Sequence, residues 1–108
     1  MDTLSFEDFK KMQLVVGRVV SVENHPDADK LFIVQVDLGS ETRQLVAGLR
    51  PWYPADRLMG RSVVIVANLA PVKIRGVDSN GMLLAAQDGE NVVILTTEVP
   101  VSPGSIVR

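Results

Sequence analysis

The 108-residue chain contains no cysteine, a single histidine and few aromatic side chains. Without cysteine it can form no disulfide, no thiolate zinc site and no cysteine nucleophile, and nothing indicates an oxidising compartment, so we expect it to act in the cytoplasm. A metal site or a catalytic base would depend on His25 alone, and the sequence has no phosphate-binding glycine loop. These absences argue against an enzyme. We therefore predict no catalytic residue, no metal and no cofactor.

Long apolar runs and an excess of positive charge are also missing. No segment approaches the ~18 apolar residues of a membrane-spanning helix, and the polar, acidic start is unlike a signal peptide. The formal net charge is -2 at pH 7. A protein with this charge does not coat nucleic acid through bulk positive charge. A polyanionic partner would have to be bound by a few cationic side chains at one site.

The sequence does have a succession of short apolar segments separated by turn residues. Their pattern predicts a short helix at about 5–11, capped by Ser5, and another at 54–59. Strands are predicted at 13–23, 31–38, 43–47, 62–67, 82–86 and 92–95. A helix between the third and fourth of five strands is the order of an OB-fold, a five-stranded Greek-key barrel, in which Gly17 lets the long first strand bend. An SH3-like barrel and a β-sandwich fragment are the competing topologies.

The segment NLAPVKIRGVDSNGMLLAAQ, at 68–87, is the strongest functional candidate in the sequence. It connects two apolar strands through a basic, glycine-punctuated loop that carries Lys73 and Arg75. Loop residues held between buried strands are often used for binding. In the OB order this loop and the HPDADKL turn at 25–31 border one face, so we expect Lys30 to converge with the two loop cations.

Each of these features also has a purely structural explanation. Most lysine and arginine side chains are simply solvated, and Met82 fits core packing at least as well as contact with a base. His25, Asp27 and Asp29 are residue types that bind metal ions, but a turn built from proline and aspartate explains the same sequence. The few aromatics disfavour a coat of stacked bases along a single strand, and favour a small pocket beside backbone contacts.

Several motifs resemble the tRNA-binding-domain family. They are HPDADKL at 25–31, AGL at 47–49, GRSVVIVANLAPVKIRG at 60–76 and SNGMLLAA at 79–86. The family includes free-standing tRNA-binding proteins, C-terminal domains of methionyl-tRNA synthetases and cytokine-like domains of multisynthetase complexes. The similarity spans essentially the whole chain. It implies one OB-fold domain over 1–108 that binds tRNA by shape and backbone, with little dependence on sequence.

The resemblance also implies contact residues and an assembly. The family's tRNA-contacting positions correspond to Lys30, Asn68, Lys73, Arg75, Ser79 and Met82. Free-standing members are homodimers that use segments outside the barrel, which here are the N-terminal helix and 91–108, and an aminoacyl-tRNA synthetase is an implied partner. The chain departs from the family pattern at Ala47, Ala70 and Gln87, where a small hydroxyl or a lysine is usual. Losing such groups weakens binding or redirects it to another ligand.

Secretion-chaperone-like members of the same superfamily define the alternative function. They bind extended polypeptide on a similar dimeric barrel, and the three departures make the face of this chain more apolar. The HPDADKL turn argues against that branch, whose corresponding turn looks different. The sequence therefore predicts a non-catalytic, homodimeric tRNA-binding module, with a peptide-binding chaperone as the alternative.

Overall fold

The computed structural model describes residues 2–108 as a mostly β domain with short helices. The elements in chain order are α1 (Phe6–Lys10), β1 (Leu14–Asn24), β2 (Phe32–Asp37), β3 (Thr42–Ala47), α2 (Ala55–Leu58), β4 (Ser62–Val66), β5 (Val72–Ile74), β6 (Val77–Ser79), β7 (Met82–Leu83), β8 (Ala85–Asp88), β9 (Asn91–Ile94) and β10 (Ile106–Val107). Neither helix is long or apolar enough to cross a membrane.

The main sheet has the strand order β3-β2-β1-β4-β7, and β10 pairs with the first residues of β1. Besides β10, strand β1 pairs with two longer strands, with β4 over 14–18 and with β2 over 18–24. The change of partner falls directly after Gly17, and a bulge between Val19 and Ser21 bends the strand further. The long first strand therefore turns from one side of the barrel to the other where the sequence predicted it.

The sheet nearly closes between β3 and the segment that leads into β7. The amide of Val46 donates to the Ser79 hydroxyl at 3.0 Å, and the amide of Asn80 donates to the Gln44 carbonyl at 2.8 Å. These contacts bring the two ends of the strand order together. The predicted all-β OB-fold, with one helix before β1 and another between β3 and β4, is confirmed.

Alternating side chains build the core of this barrel. In β2, Phe32, Val34 and Val36 are buried, while the residues between them are half-exposed. This period of two is what a strand with one face on a core requires. Leu58 of α2 is fully buried and packs into the same cluster, so the helix covers one end of the barrel.

The local helix signals also hold. Ser5 caps α1 by accepting a hydrogen bond from the amide of Asp8 at 3.1 Å, and Pro54 occupies the N-cap position of α2. The extent of the fifth predicted strand is wrong. It breaks at Leu84, whose amide donates to Val64 of β4 and whose carbonyl accepts from the amide of Leu95. The chain changes partner there, so 82–83 belong to the barrel and 85–88 form a separate hairpin with β9.

Candidate nucleic-acid interface

The segment between β4 and β7, predicted as a loop, contains a hairpin formed by β5 and β6. Ile74 pairs with Val77, so Arg75 and Gly76 form a two-residue turn. Both have positive φ, 52° for Arg75 and 85° for Gly76, as in a type I′ turn. Asn-Gly is the usual sequence of such a turn, and Arg-Gly does not predict one. The signal that finds it is the pair of three-residue strand segments, VKI and VDS, on either side.

Arg75 is the one non-glycine residue between 2 and 108 that has a positive φ. The left-handed region costs an arginine about 1 kcal/mol, because its Cβ approaches the following carbonyl oxygen. Backbone strain of this kind is concentrated at functional sites, where other contacts hold it in place. Here the guanidinium donates through Nη2 to the carbonyl oxygen of Asp27 at 2.9 Å.

His25 makes a second connection between the HPDADKL turn and the hairpin. Its ring is only 3% exposed. The amide of Asp27 donates to Nδ1 at 3.0 Å, so Nε2 carries the proton and donates to the carbonyl oxygen of Ile74 at 3.1 Å. Both ring nitrogens are engaged within the protein, which leaves neither for a metal ion or for catalysis. The histidine is a link between two loops.

The base and one side of the hairpin are fixed as well. Arg43 donates through Nη1 to the carbonyls of Ala67 and Asn80, at 2.7 and 3.2 Å. It so joins the two ends of the segment between β4 and β7. Gln44 donates to the carbonyl of Asp78 at 2.9 Å from the neighbouring strand. The hairpin is therefore held at its base, along its side and at its tip, and its tip is preorganised for a partner.

Lys30 and Arg75 line one open depression of about 470 Å³, together with Asp27, Ala28, Asp29 and Leu31. We call it the Lys30–Arg75 depression. Two carboxylates share it with the two cations, so it presents no broad positive field. Cations in such a site act through their individual positions, as hydrogen-bonding point charges.

The other exposed residues predicted from the sequence lie nearby but outside this depression. Lys73, on β5, forms an exposed ion pair of 2.9 Å with Asp78 across the hairpin. Met82, on β7, is 46% exposed and is therefore not a core residue.

Asn68 and Ser79 have their polar groups engaged inside the protein. The Asn68 side chain accepts from the amide of Gln13 at 2.8 Å and donates to the carbonyl of Lys11, which fixes α1 beside the end of β4. Ser79 is 2% exposed, and its hydroxyl accepts from Val46 and donates to Gly81. Ser79 therefore faces the fold, whereas Asn68 is exposed, with its side-chain oxygen and nitrogen both engaged by backbone groups. The predicted role of these two residues in binding stays a prediction.

The strand order and the two linked loops define the class of protein: an OB-fold domain with cations placed at one rim of the barrel. The family model described as "Putative tRNA binding domain" matches residues 14–106. The chain belongs to this family.

Its relatives carry the same domain in different settings. A methionine–tRNA ligase of Thermococcus onnurineus is 55% identical over 108 residues, which is 100% of this chain and 15% of that relative. The structure of a MetRS related protein from Pyrococcus horikoshii has a TM-score of 0.93 at 33% identity and covers 100% of both chains. The chaperone CsaA from Bacillus anthracis has a TM-score of 0.89 at 25% identity, covering 99% of this chain and 100% of that one. The chain thus spans about 15% of the length of the ligase relative.

Proposed function

We propose that this domain binds tRNA without catalysing a reaction, that it recognises the shape and backbone of the RNA with little dependence on sequence, and that it works in the cytoplasm. Family membership supports tRNA as the ligand. The observation that carries the site is the common depression of Lys30 and Arg75 at the tip of a hairpin fixed on three sides.

Arg75 and Lys30 would contact a phosphate in different ways. Arg75 uses Nη2 for Asp27, which leaves other N–H donors of its guanidinium to face a phosphate in a forked arrangement. Lys30 is exposed and adds a mobile point charge at the same depression. Lys73 contributes at the outer face of the hairpin, and Met82 offers a soft apolar surface to a base. Phosphate contacts of this kind position an RNA without reading its sequence.

Arg75→Asn is the sharpest test of this site. Asparagine adopts the left-handed conformation readily, so the turn is preserved and the free energy of unfolding should change by less than about 1 kcal/mol. The affinity for total tRNA should fall about ten-fold, and the slope of log K against log salt should decrease by about one. Fluorescence titration at several salt concentrations, with urea denaturation alongside, measures both.

Arg57→Gln is the matched control, since it removes one guanidinium from α2, where Arg57 lies over the Tyr53 ring. It should leave the tRNA affinity and its salt slope unchanged. An Arg75→Asn protein that folds normally and binds tRNA as the wild type does would remove Arg75 from the site.

The similarity to the chaperone CsaA favours a second candidate, the binding of unfolded polypeptide. The same protein should therefore be titrated with a labelled unfolded peptide. If tRNA is ignored at low salt while the peptide is bound, the chaperone function replaces the one proposed here. If tRNA binds with a steep salt dependence, the tRNA function stands.

We also propose that the domain is a homodimer joined through α1 and β10. No residue of α1 is buried, and a helix of this length is unstable without tertiary packing. Its exposed apolar side chains continue onto β10. The members of this α1–β10 patch are Leu4, Phe6, Phe9, Met12 and Ile106. A second copy covering the patch would supply the missing packing and double the cationic contacts.

The double variant Phe6→Glu, Ile106→Glu should make the protein monomeric. Both side chains are exposed, at 68% and 78%, so their replacement removes no core contact within the chain. Truncating the tail would be a poorer test, because Gly104 and Ser105 hydrogen-bond to Val16 of β1. Sedimentation velocity measures the mass. Met59→Glu, at another exposed apolar residue, should stay dimeric, and a double variant that also stays dimeric would exclude this patch.

A methionyl-tRNA synthetase is the proposed partner in translation, either as part of the same polypeptide or as a separate chain. The support is the 55% identity to the Thermococcus ligase over 100% of this chain. In that setting the domain would add tRNA affinity to an enzyme that supplies the chemistry.

A further inference from the structure

Most of the eleven lysine and arginine side chains have protein partners. Ion pairs with carboxylates engage Lys10, Lys11, Arg43 and Lys73. Arg50 and Arg75 donate to carbonyls of the HPDADKL turn, and Arg57 lies over a tyrosine ring. Within residues 2–108, the side chains with no ion pair, hydrogen bond or ring contact are those of Arg18, Lys30, Arg61 and Arg108. Lys30 belongs to the site above, and Arg18 and Arg61 lie together elsewhere.

Arg18 and Arg61 line a second open depression, of about 400 Å³, with the hydroxyl residues Ser62, Thr96 and Thr97. We call it the Arg18–Arg61 depression. Two guanidinium groups and several hydroxyl donors are the side-chain chemistry that binds phosphate oxygens. Glu98 also lines the depression but forms no ion pair with either arginine in the described chain. Neither guanidinium is therefore held in an ion pair within residues 2–108.

The backbone beneath both arginines belongs to the barrel. Arg18 is paired with Ser62 in the β1–β4 ladder. Next to it, the amide of Val19 donates to the carbonyl of Arg61 at 3.0 Å, and the amide of Gly60 donates to the carbonyl of Val19 at 2.9 Å. These bonds fix the separation of the two Cα atoms, so the two side chains extend from set backbone positions into the same depression.

We propose that the Arg18–Arg61 depression binds a phosphate group. Its source is either a phosphodiester of the tRNA held at the Lys30–Arg75 depression or a free phosphorylated compound. The two depressions have no lining residue in common. Arg18 and Asn24, beside the HPDADKL turn, lie six residues apart on β1, at most about 20 Å even for a straight strand. The Arg18–Arg61 depression is therefore a separate contact. The tRNA case rests on the function proposed above, and the free-phosphate case does not.

The first experiment is a tRNA titration of Arg18→Gln, Arg61→Gln and the double variant over a range of salt. If the phosphate is that of tRNA, each single variant weakens binding several-fold, and the double variant about ten-fold or more, with a salt slope lower by about one. Arg57→Gln is again the control for the lost charge and should have no effect. Glu98→Gln should strengthen binding, because a carboxylate that opposes the phosphate is removed.

The second experiment titrates inorganic phosphate into ¹⁵N-labelled protein and follows the amide resonances. Wild-type protein should show saturable shifts at Ser62, Thr96 and Thr97, and the double variant should show none. If phosphate shifts the amide resonances of the wild type while the variants keep the wild-type tRNA affinity, the site is assigned to a free phosphorylated compound. Loss of tRNA affinity in the variants assigns it to the RNA backbone.

The proposal is overturned if neither tRNA affinity nor the phosphate shifts depend on Arg18 and Arg61 more than on Arg57. A stable, correctly folded double variant, verified by its amide spectrum, is required for that comparison. If wild-type protein fails to bind tRNA, the proposed function fails, and the phosphate titration still decides this site. If only Arg75→Asn affects tRNA binding and phosphate causes no shifts, the function stands and this inference falls.

Discussion

Replacing His25 with alanine is expected to reduce tRNA affinity about ten-fold and the free energy of unfolding by about 2–3 kcal/mol. The residue is buried and lies between the HPDADKL turn and the hairpin. Its loss would leave the Ile74 carbonyl and the Asp27 amide without their partner, and only the Arg75–Asp27 hydrogen bond would still join the hairpin to the HPDADKL turn. The effect on affinity follows because Lys30 and Arg75, one on each loop, would be held less rigidly relative to each other.

Two further variants separate this link from general destabilisation. Asparagine at 25 can still accept from the Asp27 amide, as in an Asx-turn, but is too short for the bond to Ile74. Glutamine can reach Ile74 but loses the acceptor at the Nδ1 position. If the link between the loops matters, His25→Asn should lose more tRNA affinity than His25→Gln at similar stability. Titration and urea denaturation of all three proteins measure this. Wild-type affinity in His25→Asn would refute the positioning role.

Gly17→Ala is expected to lower the free energy of unfolding by about 3 kcal/mol. A Cβ at this position would lie 2.2 Å from Cγ1 of Val36 and 2.9 Å from Cδ2 of Leu38. Val36 is fully buried and branched at Cβ, so it cannot rotate away without a clash elsewhere in the barrel. The strand would have to separate from β2 at the point where β1 changes partner.

Gly48→Ala is the control for this prediction, because its added Cβ would meet only Cδ2 of Leu31, at 3.8 Å, an ordinary contact. Its free energy of unfolding should lie within about 0.5 kcal/mol of the wild type. Urea denaturation measures both variants, and the slope m should be unchanged. Adding Val36→Ala to Gly17→Ala should recover part of the loss, since the clashing methyl is removed. Equal stability of the two glycine variants would show that the close approach at 17 is unimportant.

The fold was predictable because its signals are local. The period-two burial of β2, the Ser5 cap and the glycine in the long first strand each depend on residues within one element. The break at Leu84 was not predictable in the same way. Both halves of the segment from 82 to 88 have strand character, and only the competing partners, Val64 and Leu95, decide where one pairing ends and the next begins.

The convergence of Lys30 and Arg75 could be predicted from the sequence, but the hydrogen-bond partners of the other candidate residues could not. A basic segment between buried strands predicted the region, and the shared depression brings Lys30 and Arg75 together. Asn68 and Ser79 have the right chemistry at the right sequence positions, yet their hydrogen bonds are made to backbone atoms of residues 55 and 33 positions away. A sequence pattern does not say whether a polar side chain will find such a partner.

The sequence by itself determined most of the strands, because periodicity and capping act over a few neighbouring residues, and its motifs pointed to the family and so to the barrel order. Only the tertiary structure decided which polar groups are free. His25 meets Ile74 across 49 positions, and Arg18 and Arg61 share a depression with Thr96 and Thr97. Such contacts between distant residues depend on the three-dimensional closure of the barrel. That closure decides whether a cation has no protein partner, as for Arg18 and Arg61, or shares its donors with one, as for Arg75.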